Sequence, residues 1–124
     1  MNRSLFSILV VVPYVWACGG SMPPPTERLA DAQSAERSAR ELGANDVPAA
    51  QLSLKLAEEQ TAQAQKAVAD GNNERADGLL LRAKADAELA IAEAREKGAD
   101  VNGQRAVQAA DAQKSTNAVQ GAVK

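Results

Sequence analysis

Residues 46–97 decide the fold, and they read DVPAAQLSLKLAEEQTAQAQKAVADGNNERADGLLLRAKADAELAIAEAREK. Alanine recurs throughout at helical spacing, among glutamate, glutamine, lysine and leucine, which are strong helix formers. Gly71-Asn72-Asn73 divides the stretch into two alanine-rich runs, as a turn would, and Asn73 is the candidate N-cap of the second run. The sequence therefore predicts two long antiparallel helices, over about residues 48–70 and 73–97.

The later of these helices carries a single apolar stripe, whose members alternate at spacings of four and three. They are Ala76, Leu80, Ala83, Ala87, Ala90 and Ala94. This is a coiled-coil pattern with alanine in place of leucine, so neighbouring helices can approach closely. Near its end, Glu93 and Lys97 have the spacing of a favourable ion pair. Gly98 is the predicted stop.

The earlier helix has two apolar faces. Leu52 and Leu56 share one face, whereas Leu54 lies on another. Pro48 suits its first turn, with Asp46 as the candidate cap. Two apolar faces indicate a neighbour on each side, so this helix is predicted to be the middle one of three.

A third helix is predicted upstream, over residues 26–42, with Thr26 as its N-cap and Gly43 as its stop. Its stripe consists of Ala32, Ala35, Ala39 and Leu42, and Glu36 and Arg40 form an i,i+4 pair. We therefore predict an all-α domain over residues 26–97. It is a slim antiparallel alanine-rich helical hairpin or three-helix bundle with coiled-coil-like packing.

The remaining C-terminal residues, 98–124, are polar, and Asn102-Gly103 indicates a turn. We expect this tail to be partly helical or disordered, and both ends of the chain to be weakly ordered.

The composition argues against several functional classes. The chain has no histidine, one cysteine and a formal net charge of −2, with no basic cluster. These features disfavour metal sites, Cys-His or Ser-His catalysis and nucleic-acid binding. Asp86, Glu93 and the adjacent Glu58-Glu59 have the spacing of solvated helix faces, without a pocket or nucleophile beside them. We expect no catalytic residue, no metal and no cofactor.

The N-terminus has the layout of an export signal. Residues 1–17 comprise a short positive segment, the apolar run LFSILVVV and the small-residue ending Val15-Trp16-Ala17 before Cys18. The apolar run is too short to cross a bilayer, which takes about 20 residues. We predict a signal peptide over residues 1–17, cleavage between Ala17 and Cys18, and a Gly- and Pro-rich linker over residues 18–25.

This N-terminus resembles a bacterial lipoprotein signal, in which a Leu-like residue, a small residue and Gly or Ala precede an acylated cysteine. Val15, Ala17 and Cys18 match that pattern, whereas Trp16 departs from it. The resemblance implies diacylglyceryl and N-acyl lipids on Cys18 and a membrane anchor. Gly19, where inner-membrane lipoproteins commonly have aspartate, implies the outer membrane, facing the periplasm. The departure at Trp16 leaves simple secretion to the periplasm as the alternative.

The helical stretch over residues 49–97, with RSARELGA at residues 37–44, resembles a family of small alanine-rich bacterial lipoproteins. That family is catalogued only as a domain of unknown function. The resemblance implies a location and a helical fold, but no activity, catalytic residue or ligand.

We therefore expect a structural or protein-interaction role at the cell envelope, with an unidentified envelope protein or peptidoglycan as partner, or self-association through the helices. Four leucines are candidates for a partner face: Leu54, Leu79, Leu81 and Leu89. The alternative is that they pack against the first helix or the C-terminal tail.

Two further functions stay open. Lys124 resembles the terminal lysine by which an abundant alanine-rich outer-membrane lipoprotein is linked to peptidoglycan, which implies a wall tether. Residues 67–92 have the helix-turn-helix spacing of one tetratricopeptide repeat, although a single copy without aromatic residues falls short of that architecture.

Overall fold

The computed structural model describes residues 22–122, and that part of the chain is all-α, without a strand. Helix α1 spans Thr26–Glu41, α2 spans Pro48–Ala69, and α3 spans Asn73–Ala122. A short 3-10 turn over Ala44–Asp46 joins α1 to α2. The predicted all-α architecture is confirmed, as three helices that all contact one another, with α2 antiparallel to α1 and α3. Residues 1–21 and 123–124, which include Cys18 and Lys124, lie outside the described residues.

The connection from α1 to α2 depends on one glycine. Gly43 has φ of 84°, a left-handed conformation that costs a residue with a side chain about 1–2 kcal/mol. Two predicted caps are wrong. Thr26 is the first residue of α1 and Pro25 is its N-cap. Asp46 lies in the 3-10 turn, and the extended Val47 caps α2, since a residue before proline favours the extended region.

The turn from α2 to α3 is a Schellman motif. The amide of Gly71 donates to the Val68 carbonyl at 3.0 Å, and that of Asn72 donates to the Ala67 carbonyl at 2.8 Å. Gly71 has the required positive φ of 76°. The Asn72 side chain then accepts from the amide of Arg75 at 3.2 Å, so Asn72 caps α3 in place of the predicted Asn73.

Helix α3 is twice as long as predicted. Its 50 residues extend about 75 Å at about 1.5 Å per residue. The predicted stop at Gly98 and the predicted turn at Asn102-Gly103 are both wrong, because the helix continues through them. Each helical glycine costs about 1 kcal/mol relative to alanine. The many alanine, glutamine and arginine residues around them favour the helix enough to offset that cost.

The core consists of two alanine-rich clusters between the helices. One lies beside the α2–α3 turn and contains Ala32, Ala64, Ala67, Ala76, Leu80 and Ala83. The other lies beside the α1–α2 connection and contains Ala39, Ala44, Ala50, Leu54, Ala90 and Ala94. All six residues of the predicted α3 stripe are buried, so this prediction is confirmed.

The other two stripes differ from the prediction. On α1, Ala32 and Ala39 are buried, but Leu42 is the C-cap residue and is 42% exposed. On α2, the face of Leu54 packs into the core, whereas Leu52 and Leu56 are 61% and 41% exposed. The interpretation of α2 as a helix with two packed faces is therefore wrong, since α1 and α3 both contact its Leu54 side.

Candidate interaction surface

Polar side chains join the helices along the core. The Thr61 hydroxyl on α2 donates to Glu36 Oε1 on α1 at 2.6 Å, and Glu36 is only 6% exposed. The Arg40 guanidinium lies 3.7 Å from the other Glu36 oxygen, which confirms the predicted pair, and 2.6 Å from Glu58 Oε1. A buried carboxylate of this kind needs its partners, because an unpaired buried charge is strongly destabilising.

Two further hydrogen bonds join α2 to α3. Ser53 Oγ donates to Glu93 Oε2 at 2.9 Å, and Gln60 Nε2 donates to Asp86 Oδ2 at 2.6 Å. The predicted ion pair of Glu93 with Lys97 is therefore replaced by a bond across the helices. Within residues 22–122, no group of three or more His, Cys, Asp or Glu side chains is arranged to hold a metal ion.

The four leucines proposed as a partner face do not share one surface. Leu54 is only 2% exposed and belongs to the core, so its assignment to a partner face is wrong. Leu79 is half-buried and packs against the core cluster beside the α2–α3 turn. Leu81 and Leu89 are exposed, by 56% and 49%. They lie eight residues apart on α3, which places them about 80° apart around the helix axis.

The structure brings Leu89 instead to a surface that the sequence interpretation missed. Leu56 lies between Ser53 and Gln60 along α2, three residues after one and four before the other. On α3, Leu89 likewise lies three residues after Asp86 and four before Glu93. Since these four polar residues are hydrogen-bonded across the two helices, both leucines border the same helix–helix contact.

We call this surface the seam surface and define it by Leu52, Leu56 and Leu89. It faces away from α1, because α1 pairs with other sides of the two helices, through Glu58 on α2 and Lys84 on α3. In the sequence, the i,i+4 spacing of Leu52 and Leu56 indicated that they share a face of α2. That face was predicted to be packed, whereas it is exposed.

A second exposed element is the α3 tail, which we define as residues 98–122. The tail extends α3 by about 37 Å beyond the part of the helix that α1 and α2 cover. Every residue in it is exposed except the half-buried Val101. Val107 and Val119 are 62% and 66% exposed.

The end of the predicted linker is attached to the opposite end of the bundle. The Asn73 side-chain amide donates to the Met22 carbonyl at 2.6 Å. Pro24 and Pro25 line an apolar cavity of about 130 Å³ together with Leu29 and Val68. Linker residues 22–25 therefore lie against the α2–α3 turn, where α3 begins.

Among the described residues, no helix combines the length and the apolar character needed to cross a membrane. Comparisons with protein-family models, curated proteins and solved structures found no match. The resemblance to the lipoprotein family of unknown function therefore stays a prediction. The helices of 22 and 50 residues are too long for a tetratricopeptide unit, which fits two helices into 34 residues.

Proposed function

We propose that this chain is a non-enzymatic, lipid-anchored protein of the bacterial cell envelope that acts by binding another protein through its exposed helical surfaces. The anchor rests on the lipoprotein-like ending Val15-Trp16-Ala17-Cys18. Acylation at Cys18 would use the only thiol of a chain exported to an oxidising compartment. Several acyl chains on one residue give stable membrane attachment, whereas a single chain gives only marginal binding.

The observation that carries the binding role is the exposed α3 tail. Gly98, Gly103 and Gly121 each weaken this uncovered helix by about 1 kcal/mol relative to alanine, so a partner packed along it would stabilise it. A helix presented without a covering neighbour is a surface on which a second helix can pack. The Asn73–Met22 hydrogen bond holds residue 22, at the end of the predicted linker, beside the first turn of α3.

Mass spectrometry of the N-terminal peptide from membrane-bound protein tests the anchor. We expect cleavage before Cys18 and the mass of an acylated residue. The Cys18→Ser variant should appear as unacylated protein in the soluble fraction. Ser21→Ala is the matched control, because it keeps Cys18 and therefore the anchor. An unmodified amine on Cys18, or a retained Met1, would contradict the proposal.

Membrane fractionation tests the location. We expect the protein in the outer-membrane fraction, facing the periplasm, and the Gly19→Asp variant in the inner-membrane fraction. Recovery of wild-type protein in the soluble periplasmic fraction would instead favour simple secretion.

A further inference from the structure

The seam surface and the α3 tail are both uncovered, and one molecule cannot bring them together. The tail continues α3 without a break at Gly98 or Gly103, so it extends away from the bundle. Leu52, Leu56 and Leu89 lie beside the α2–α3 contact, on the side opposite α1. A fourth helix laid along that contact would cover all three leucines, as in a four-helix bundle.

We infer that the fourth helix is the α3 tail of a second copy, in an antiparallel homodimer in which each tail covers the seam surface of the other. The lengths match. The tail is about 37 Å long, and α2, which it would lie beside, is 22 residues or about 33 Å. A two-fold axis near Gly98 makes the exchange reciprocal, so the assembly closes on itself as a dimer.

The positions of two exposed residues fit this axis. Leu89 and Val107 lie nine residues to either side of Gly98. Their separation of 18 residues is five helical turns, so both lie on the same face of α3. In an antiparallel pair centred at Gly98, Leu89 of each copy therefore lies level with Val107 of the other.

The area is sufficient for a stable complex. A helix about 10 Å wide and about 37 Å long covers on the order of 370 Å² of the surface beneath it. Counting both surfaces of both tail contacts gives roughly 1,500 Å². Specific dimers typically bury about 1,200–2,000 Å².

Disulfide crosslinking of the full chain tests the arrangement. The double variant Leu89→Cys with Val107→Cys should form a disulfide-linked dimer on mild oxidation, because the two positions face each other across the copies. The single variant Leu89→Cys should not, since two Leu89 positions would lie about 27 Å apart and a disulfide needs Cα atoms within about 7 Å. The unsubstituted chain, run alongside, reports any crosslink through Cys18. Efficient crosslinking of Leu89→Cys alone, or none in the double variant, would overturn the proposal.

Sedimentation of the purified full chain in nonionic detergent provides a second test. We expect twice the monomer mass, and at least a tenfold weaker dimer for Leu89→Glu, which places a charge on the seam surface. Leu81→Glu is the matched control, because Leu81 is similarly exposed on another face of α3. A monomeric wild-type chain, or equal weakening by both variants, would refute the antiparallel dimer. The dimer rests on the proposed binding role, for which it names a second copy of this chain as the partner. Lipidation of Cys18 is measured separately, so failure of the dimer leaves the proposed anchor unaffected.

Discussion

Replacing Thr61 by valine should destabilise the bundle by about 1.5–3 kcal/mol. The substitution keeps the side chain's shape but removes the hydroxyl that donates to Glu36 Oε1 at 2.6 Å. Glu36 is 6% exposed, and its remaining charged neighbour, Arg40, lies 3.7 Å away. A hydrogen bond to a buried charged group contributes about 1.5–3 kcal/mol, and its loss leaves the carboxylate undersatisfied.

Urea unfolding, followed by the helical circular dichroism signal at one fixed protein concentration, measures this loss. Thr116→Val is the matched control. Thr116 is an exposed helical threonine whose hydroxyl bonds only to the Ala112 carbonyl of its own helix, at 3.0 Å. We expect the control to change the free energy of unfolding by less than about 0.5 kcal/mol.

A double-mutant cycle identifies the cause. Replacing Glu36 by leucine removes the charge together with its need for a donor, while Arg40 keeps its 2.6 Å contact with Glu58. Thr61→Val should then cost clearly less in the Glu36→Leu background than in the wild type, because replacing both partners with apolar groups is close to neutral. Equal costs in the two backgrounds, or a Thr61→Val loss no larger than that of Thr116→Val, would refute the reasoning.

Three further comparisons test the fold, two by the same urea assay and one by hydrogen exchange. Leu80→Ala should cost about 2–5 kcal/mol, because Leu80 is the largest fully buried side chain among residues 22–122, whereas Leu81→Ala next to it should cost under about 0.5 kcal/mol; similar losses would contradict the core assignment. Gly43→Ala should destabilise by about 1–2 kcal/mol because of the positive φ, while Gly78→Ala, with open space around its Cβ, should stabilise by about 1 kcal/mol; the same sign for both would contradict the backbone description. Gly103→Ala should slow amide hydrogen exchange in the tail, and an unchanged rate would argue that the tail is not helical.

The sequence predicted the elements that depend on neighbouring residues. Alanine at alternating spacings of three and four placed the α3 stripe correctly, because a helix repeats every 3.6 residues whatever lies beside it. Gly71 and Gly43 were correctly read as helix ends, since both adopt the positive φ that glycine favours. Gly98 was predicted to end α3 for the same reason, and that prediction is wrong, because a glycine remains compatible with a helix when its flanking residues favour one.

The candidate surface could be predicted only in part. Leu81 and Leu89, two of the four candidates for a partner face, are exposed, but Leu54 is in the core and the exposed pair Leu52 and Leu56 was assigned to packing. All three α2 leucines have the same hydrophobicity, and their spacing defines two faces equally well. No local property distinguishes the face that meets α1 and α3 from the face that meets solvent.

By itself, then, the sequence determined an all-α chain, the stripe on which α3 packs and the two glycine turns. Helix propensity, heptad spacing and glycine conformation are properties of a few adjacent residues. The tertiary structure alone decided that Glu36 is buried against Thr61, and that Leu56 and Leu89 border one contact between α2 and α3. These relations join residues 25 to 40 positions apart, and they follow from how three helices are rotated against one another when alanine sets their separation.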